Sequence, residues 1–456
     1  MNTVKKKLGL STILSYAMAT GSGYQIMGAV VGSYLLVFLT DTFGVPAGAA
    51  GVIMVIASVW DAVNDPMMGV LADRTKSKMG RYRPYLLAAP ALLTVSVVLL
   101  FASPNLNDTG KIIWTAVFYI LYGMLRTAIE IPSSALINAI TDEQSERTKL
   151  ISAFTITMGI FTTISSSFAL NFVSLFGGEN TAKGYMWVVG IAGVLMTVSC
   201  WWCFASTKEL GETGSHTVSA VHELKQLLKF KELIPVILTW LAGYTSFNIM
   251  MGSSVYYMMY YICRPDLISY YMLDISLIGV IGIAVLVPFF MKTFKSAKSA
   301  FAASQIGTAI CSIILFFFGK NLVILFVFSG IGSLFATLSM PFSSMLMSEM
   351  TDYILVKSNS VVNGTIAALK GFANKGGIAI SSAVVSFMLS STGYIAGEIG
   401  GQPDAVLFGL RSARFLVPVI CAVIIVICLS RYPVDNNMRA EIKELYDSNS
   451  KGETGR

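Results

Sequence analysis

The sequence predicts an all-α polytopic membrane protein. Of its 456 residues, 55% are hydrophobic and only 12% are charged. Mean hydropathy is +0.69, and apolar runs of bilayer length recur from one end of the chain to the other. A soluble domain carries about 25% charged residues, so a water-facing surface here would be poor in charge. A bilayer removes that problem, because its solvent is apolar.

A spanning helix needs roughly 20 apolar residues to cross about 30 Å of hydrocarbon. Such runs occupy 10–39, 47–72, 84–103, 112–138, 151–175, 185–205, 234–260, 268–291, 300–318, 321–347, 365–390 and 409–430. Counting the two long, Gly-interrupted runs as one each, that is twelve spans. Lys5, Lys6 and Lys7 precede a run too long for a signal-peptide core and without a clean cleavage motif. The first span is therefore expected to stay in the bundle.

The six cysteines fall mostly inside or at the edges of spans, which is no disulfide framework. Cys200 and Cys203, beside Trp201 and Trp202, read as structural residues at a helix end. The net charge of +7 might suggest nucleic acid in a soluble chain. Here the basic residues gather in particular loops, so topology explains them better, and no nucleic-acid partner is expected.

The loop after the second span runs Asp73-Arg74-Thr75-Lys76-Ser77-Lys78-Met79-Gly80-Arg81-Tyr82-Arg83-Pro84. Arg147 and Lys149 follow the fourth span; Lys208, Lys225, Lys229 and Lys231 the sixth; Lys292, Lys295 and Lys298 the eighth; and Lys357 the tenth. The alternate loops hold only Lys111, Lys183, Arg264, Lys320 and Arg411. The positive-inside rule then puts both termini in the cytoplasm, which requires an even number of spans. The polar stretch 206–232, with His216 and His222, divides the chain into an amino-terminal six-helix bundle, 1–205, and a carboxy-terminal one, 233–430. A cytoplasmic tail, 431–456, follows, helical-looking near Met438–Tyr446, and the Gly-rich segment 391–408 is expected as an outside loop.

A charge inside a bilayer is expensive and needs a reason. Three carboxylates stand out: Asp61 and Asp65 in the second span, and Glu130 in the fourth. Asp61 and Asp65 are four apart, so a helix stacks them on one face, with Asn64 beside them. Like charges so close call for a shared proton or a cation between them. Thr127 and Glu130 share a face of the fourth span. If the two helices meet, Asp61, Asp65, Asn64 and Thr127 form an oxygen cage suited to sodium. A purely structural role would pair these acids with Arg126 or Lys375, but three buried acids on two helices exceed what packing needs. Lys375, deep in the eleventh span, requires a carboxylate or a solute oxygen, and the acids of spans two and four are its expected partners. No histidine lies in a span, which leaves Na+ and H+ both open as coupling ion.

Pro66 and Pro132 each follow an intramembrane acid and free a carbonyl one turn earlier. Glycines crowd the first and eleventh spans, allowing close helix contact and bending. Trp60, Tyr16, Tyr24, Tyr34, Tyr119 and Tyr122, with Tyr244, Phe247, Tyr256 and Tyr257 in the seventh span, offer rings on which a sugar could stack.

The run Trp60-Asp61-Ala62-Val63-Asn64-Asp65-Pro66-Met67-Met68-Gly69, with Asp73-Arg74-Thr75 and Gly80-Arg81-Tyr82-Arg83-Pro84, resembles the second-helix signature of the glycoside–pentoside–hexuronide:cation symporters. That family, typified by the melibiose carrier, belongs to the major facilitator superfamily. Thr40-Asp41, Glu130-Ile131-Pro132, Asp352-Tyr353, Lys375-Gly376 and Gly393-Tyr394 extend the resemblance over nearly the whole chain. It implies the major facilitator fold, with twelve helices in two six-helix bundles. It implies Asp61 and Asp65 as cation-site carboxylates, flanked by Asn64 and Thr127. Glu130 stands where melibiose carriers join sugar and cation recognition, and Lys375 matches the eleventh-helix lysine. Asp73 and Arg74, with Arg81, match the cytoplasmic gating loop. The chain departs from melibiose carriers in having no first-helix acid in Gly21–Ile26, no fifth-helix arginine in Ser152–Thr155, and Ser134 in place of a tryptophan. The region Asp352–Ser360 also carries less charge than is usual there. The cation side is kept and the galactoside side is altered.

The expected function is import of a sugar or glycoside by Na+ or H+ symport, with Glu130, Lys375, Trp60, Tyr24 and Arg126 on the solute side. The expected partners are a small-molecule solute and the lipid of the cell (inner) membrane, and the expected working unit is a monomer without further cofactor. One alternative is a major facilitator carrier of a non-sugar solute, for which Arg126 would serve an organic acid. Another is a non-transporting sensor or scaffold. No metal cluster, nucleophile elbow or phosphate loop points to an enzyme.

Overall fold

A computed structural model describes residues 8–141, 143–210, 230–358, 363–434 and 438. Lys5 to Lys7, both histidines, Lys225, Lys229, most of the 206–232 linker and the tail beyond 434, except Met438, lie outside the described residues. Every regular element among the described residues is a helix. In order come α1 (Leu10–Gly21), α2 (Gly23–Val37), α3 (Ala47–Arg74), α4 (Arg83–Leu100), α5 (Asp108–Ile140), α6 (Gln144–Gly177) and α7 (Thr181–Ser206). Then follow α8 (Leu233–Tyr256), α9 (Ile268–Phe294), α10 (Ala297–Phe318), α11 (Leu322–Thr337), α12 (Ser339–Ser358), α13 (Asn363–Ser391), α14 (Asp404–Arg411) and α15 (Val417–Ser430). Wider π turns cover Phe38–Phe43, Tyr257–Tyr261 and Ser412–Leu416.

Eleven segments among the described residues are long and apolar enough to cross a membrane. α9, 27 residues from Ile268 to Phe294, is of spanning length too. Polar asparagines start several spans. Asn107 accepts from the Gly110 N–H, Asn180 from Lys183, and Asn321 from Val323 and Ile324. Each satisfies N–H groups that a helix start leaves bare.

The expected first span is broken at Ser22, whose backbone leaves the helical region. The break lies where Gly23 presses on α7: a Cβ there would overlap the carbonyl oxygen of Ala192. In lipid, helices associate by such close packing, not by hydrophobic exclusion. The expected tenth span is two helices, α11 and α12, parted at Leu338. Pro341 lacks an N–H and crowds the carbonyl of Thr337. Helix also begins within the expected 391–408 loop, at Asp404, whose charge favours a helix start.

Two compact units form. The first comprises Met1–Ser215, Met251–Ser276 and Ser382–Arg411. In it α4 packs on α5 and α7, α3 on α5, and α1 and α2 on α6 and α7. Buried tyrosines tie these helices: Tyr16 donates to the Ser133 carbonyl at 3.0 Å and Tyr34 to that of Ser166 at 2.6 Å. Cys200 donates to the Ala19 carbonyl, and Cys203 is buried one turn on. The second unit comprises His216–Met250, Leu277–Ser381 and Ser412–Arg456. Its core gathers Trp240, Phe301, Phe342, Leu346, Ile354 and Ile425. The Trp240 indole donates to the Ser343 carbonyl at 3.2 Å, so no polar atom of that ring is wasted.

The loop between α3 and α4 is held by one carboxylate. Glu209, just past α7, accepts the N–H groups of Arg81, Tyr82 and Arg83 at 2.7, 2.9 and 3.0 Å. This places a negative charge on the amino end of α4, where the helix dipole favours it. Arg83 answers by donating to the Phe204 carbonyl at 2.6 Å. Glu209→Ala would strand all three donors, at a cost of about 2 kcal/mol after water replaces part of the loss. The expected result is a lower melting temperature for the purified protein, with Glu209→Gln in between. An unchanged value for Glu209→Ala would show the clamp to be dispensable.

Candidate functional site

The second and fourth spans, α3 and α5, pack together in the first unit, and the contact brings the expected cation residues together. Thr127 donates to Asp65 Oδ1 at 2.8 Å. Asp61 lies against bare backbone on α5: a Cβ on Gly123 would sit 2.6 Å from Asp61 Oδ1. Asn64 is buried on α3, and its Nδ2 makes no hydrogen bond among the described residues. Turning the amide by half a rotation would set its oxygen there instead. Carboxylate, hydroxyl and amide are thus drawn from two helices in contact.

Gly123 was not singled out in the sequence, because only the fold shows what faces it. Gly123→Ala is expected to push Asp61 out of place with the bundle intact. Displacing a group that positions an ion ligand costs roughly 10–100-fold in affinity. Ion-driven solute accumulation in vesicles should fall by a similar factor, and wild-type accumulation would show that Asp61 needs no such seat.

One turn further along α5, a second group assembles. Tyr24 donates to Glu130 Oε2 at 2.6 Å and accepts from Arg126 Nε at 2.9 Å. Its ring lies under the guanidinium, 5.3 Å from the centroid. Arg126 Nε is 3.7 Å from Glu130 Oε2, and Nη1 reaches Tyr122 at 3.5 Å. Although these charges sit in mid-helix, the side chains of Arg126 and Glu130 are 38% and 54% exposed. On α5, Ile113, Val117, Leu121 and Met124 form an exposed apolar stripe at helical spacing, which suits lipid. Arg126 and Glu130 lie on the other face. A charge turned to hydrocarbon is too costly to be maintained, so their opening is toward a polar space.

The other expected site residues lie on several elements. Trp60 is 39% exposed, at the margin of the outward apolar stripe Ile56, Val63, Met67 on α3. Lys375 lies half-buried on α13, in the second unit. Tyr119 and Tyr122 stack on each other at 6.2 Å. Tyr244 and Phe247 line a small cleft of the second unit with Ser339, Met340 and Ser343. In the gating loop, Tyr82 donates to Asp73 Oδ1 at 2.8 Å, Arg81 gives its N–H to Glu209, and Arg74 is exposed. Burial first, and the bond to Asp73 second, raise the Tyr82 phenol above its ordinary pKa.

Two ionisable groups inside spans escaped the sequence reading. Asp274 sits near the start of α9 in the first unit, with Oδ2 buried and without a hydrogen bond among the described residues. Arg414, 1% exposed in the turn Ser412–Leu416, is an internal arginine besides Arg126. Both stand near the ends of their apolar runs, where a sequence alone does not separate buried from interfacial charge. Among the described residues, no group of three or more His, Cys, Asp or Glu assembles to hold a metal ion.

Comparison with known proteins gives this arrangement its context. The profile of the family described as MFS/sugar transport protein matches residues 15–436. The inner membrane symporter YicJ of Escherichia coli (strain K12) is 28% identical over 94% of this chain and 92% of its own. The isoprimeverose transporter of Lactiplantibacillus pentosus is 28% identical over 93% of this chain and 88% of its own. Among solved structures, a bacterial homologue of the human lysosomal transporter Spinster, in an inward-facing conformation, superposes with a TM-score of 0.68 at 12% identity. That match covers 92% of this chain and 95% of the other, and shows the major facilitator fold. The chain is thus a multi-span membrane protein of the inner-membrane type with the fold of a secondary transporter, and not of an enzyme; it belongs to the MFS/sugar transport protein family.

Proposed function

We propose that this protein imports a sugar or glycoside by cation symport through alternating access, as a glycoside–pentoside–hexuronide:cation symporter. The coupling ion is Na+ or H+, held by Asp61 and Asp65 with Asn64 and Thr127. The solute is met by Glu130, Arg126 and Tyr24, with Lys375 and Trp60 as further contacts. Asp73, Arg74 and Arg81 work in the cytoplasmic gating loop. The bundles are 1–205 and 233–430, joined by 206–232, with both termini in the cytoplasm and a monomer as the working unit.

The observation that carries this reading is the Thr127–Asp65 bond of 2.8 Å, with Asp61 on the same helix seated against Gly123. Two like charges four residues apart in a bilayer are tolerated when a proton or cation joins them. The Tyr24–Arg126–Glu130 group lies on the same helix as Thr127, so one movement of α5 reaches ion and solute together. Symporter and isoprimeverose transporter, the names of two relatives, agree with both halves of the proposal.

The test is the melting temperature of the purified protein against glycosides, pentosides and uronates, each with and without sodium and at two pH values. A ligand that binds only the folded state raises it by mass action. A solute shift enlarged by sodium or by acid is the expected result. A solute shift indifferent to both ions would make the protein a uniporter and sink the coupling.

A further inference from the structure

We propose that Tyr122 relays ion occupancy at Asp61 to Arg126, and that this relay makes the cation tighten the hold on the solute. The inference rests on the symport reading and deepens it. On α5, Tyr119, Tyr122, Gly123, Arg126, Thr127 and Glu130 follow the three- and four-residue spacing that gathers side chains on one face. Asp61 Oδ1 sits against Gly123, the residue after Tyr122. One turn on, Arg126 Nη1 donates to the Tyr122 hydroxyl at 3.5 Å. The Tyr122 ring stacks on that of Tyr119 at 6.2 Å and 14°. The charges of Asp61 and Arg126 both act on the hydroxyls of this pair. Tyr122 is 5% exposed, so its ring offers a solute no face, and its hydroxyl is the part left to function.

A phenol hydroxyl has one proton and free lone pairs, and it turns to suit its neighbours. While Asp61 is ionised and holds no ion, its field draws the Tyr122 proton and leaves a lone pair toward Arg126. Nη1 is then held, and more tightly because bonds in a chain polarise one another. A cation or proton at Asp61 cancels that field. The hydroxyl relaxes its hold, and the Nη1 donors turn to a solute oxygen. A bond of 3.5 Å is at the weak end of the range and easily given up. The bond from Nε to Tyr24, at 2.9 Å, keeps the guanidinium in place meanwhile. The sign follows: the cation raises solute affinity, and by linkage the solute raises cation affinity by the same factor.

The experiment titrates the full chain in detergent with D-xylose, isoprimeverose, phenyl β-D-glucoside and D-glucuronate, and follows the probe that binds most tightly. Its affinity is measured in sodium and in choline, each at neutral and at acid pH. Sodium or acid is expected to tighten wild-type binding by at least roughly fivefold. In Tyr122→Phe, which keeps the ring and removes the hydroxyl, that factor should shrink to about twofold or less. Solute affinity without the ion, and ion affinity without the solute, should each stay near the wild-type value. A packing role would lower both and spare their ratio. Arg126→Gln, which removes the other end of the relay, should flatten the factor equally, and adding Tyr122→Phe to it should change nothing more; this pair decides the matter if Tyr122→Phe alone does not fold. A factor that survives in either variant overturns the inference and leaves the symport reading in place, as does a joint fall of both affinities in Tyr122→Phe. An ion factor of one in the wild type, or silence from every probe, overturns both.

Discussion

Asp65→Asn is expected to reduce ion-driven solute accumulation to the level of empty vesicles while the protein stays folded. The substitution is nearly isosteric, and the asparagine carbonyl can still accept from Thr127, whose hydroxyl lies 2.8 Å from Asp65 Oδ1. Helix contact is therefore kept and only the charge goes. That charge is what a cation or proton follows through the membrane: at 4 Å a unit pair is worth about 4 kcal/mol at an effective dielectric of 20. Losing it removes roughly a thousandfold of ion affinity at about 1.4 kcal/mol per tenfold. Proteoliposomes with an imposed sodium or proton gradient provide the measurement, with solute exchange at equal concentrations as the control. Exchange should persist when accumulation is lost, because binding and turnover of the solute need not carry the ion. Normal accumulation by Asp65→Asn would remove Asp65 from the cation site, and a collapsed melting temperature would give it a structural role.

Asp61, Asp65 and Glu130 were legible in the sequence because a bilayer makes an internal charge conspicuous. The spans were legible for the same reason, as a 20-residue apolar run has few other uses. What faces each acid was not legible. Gly123 is 62 residues from Asp61, and Glu209 is 128 from Arg81. Such pairs have no periodicity and belong to the packing of helices far apart in the chain. The breaks at Ser22 and Leu338 were also hidden, since hydropathy reads straight through them. Asp274 escaped because its neighbours set its burial: Ser276 and Ser269 on the same helix bond Ser166 and Asn171 of α6.

Asp41→Ala should produce the other large effect, at the far end of the first span. Asp41 lies in the π turn Phe38–Phe43, and hydroxyl groups hold its carboxylate. Tyr394 donates to Oδ1 at 2.5 Å, Thr40 to the same oxygen at 2.6 Å, and Tyr260 to Oδ2. Tyr256 meets Thr40 at 3.0 Å, and its ring stands edge-on to Tyr394 at 5.9 Å. Tyr260, in the π turn Tyr257–Tyr261, stands edge-on to Tyr394 at 5.3 Å and also accepts the Gly397 N–H at 3.2 Å. One carboxylate thus joins the end of the first span, the turn after α8 and the segment after α13. Hydrogen bonds to a charged group contribute about 1.5–3 kcal/mol each, and Thr40 has the Leu36 carbonyl as a substitute. The two tyrosine hydroxyls also bond each other, so Asp41→Ala should cost about 1.5–3 kcal/mol, the equivalent of one such bond. Asp41→Asn, which keeps one acceptor, should cost about half. An alternating-access carrier makes and breaks internal contacts in every cycle, so the loss should appear in rate more than in binding. The expected outcome for Asp41→Ala is a lower melting temperature and initial uptake slowed by roughly tenfold or more, 1.4 kcal/mol of barrier being enough for that. Solute affinity in detergent should change little, because Asp41 lies outside the Tyr24–Arg126–Glu130 group. Equal losses of affinity and rate would instead make the tyrosine cluster part of the solute site.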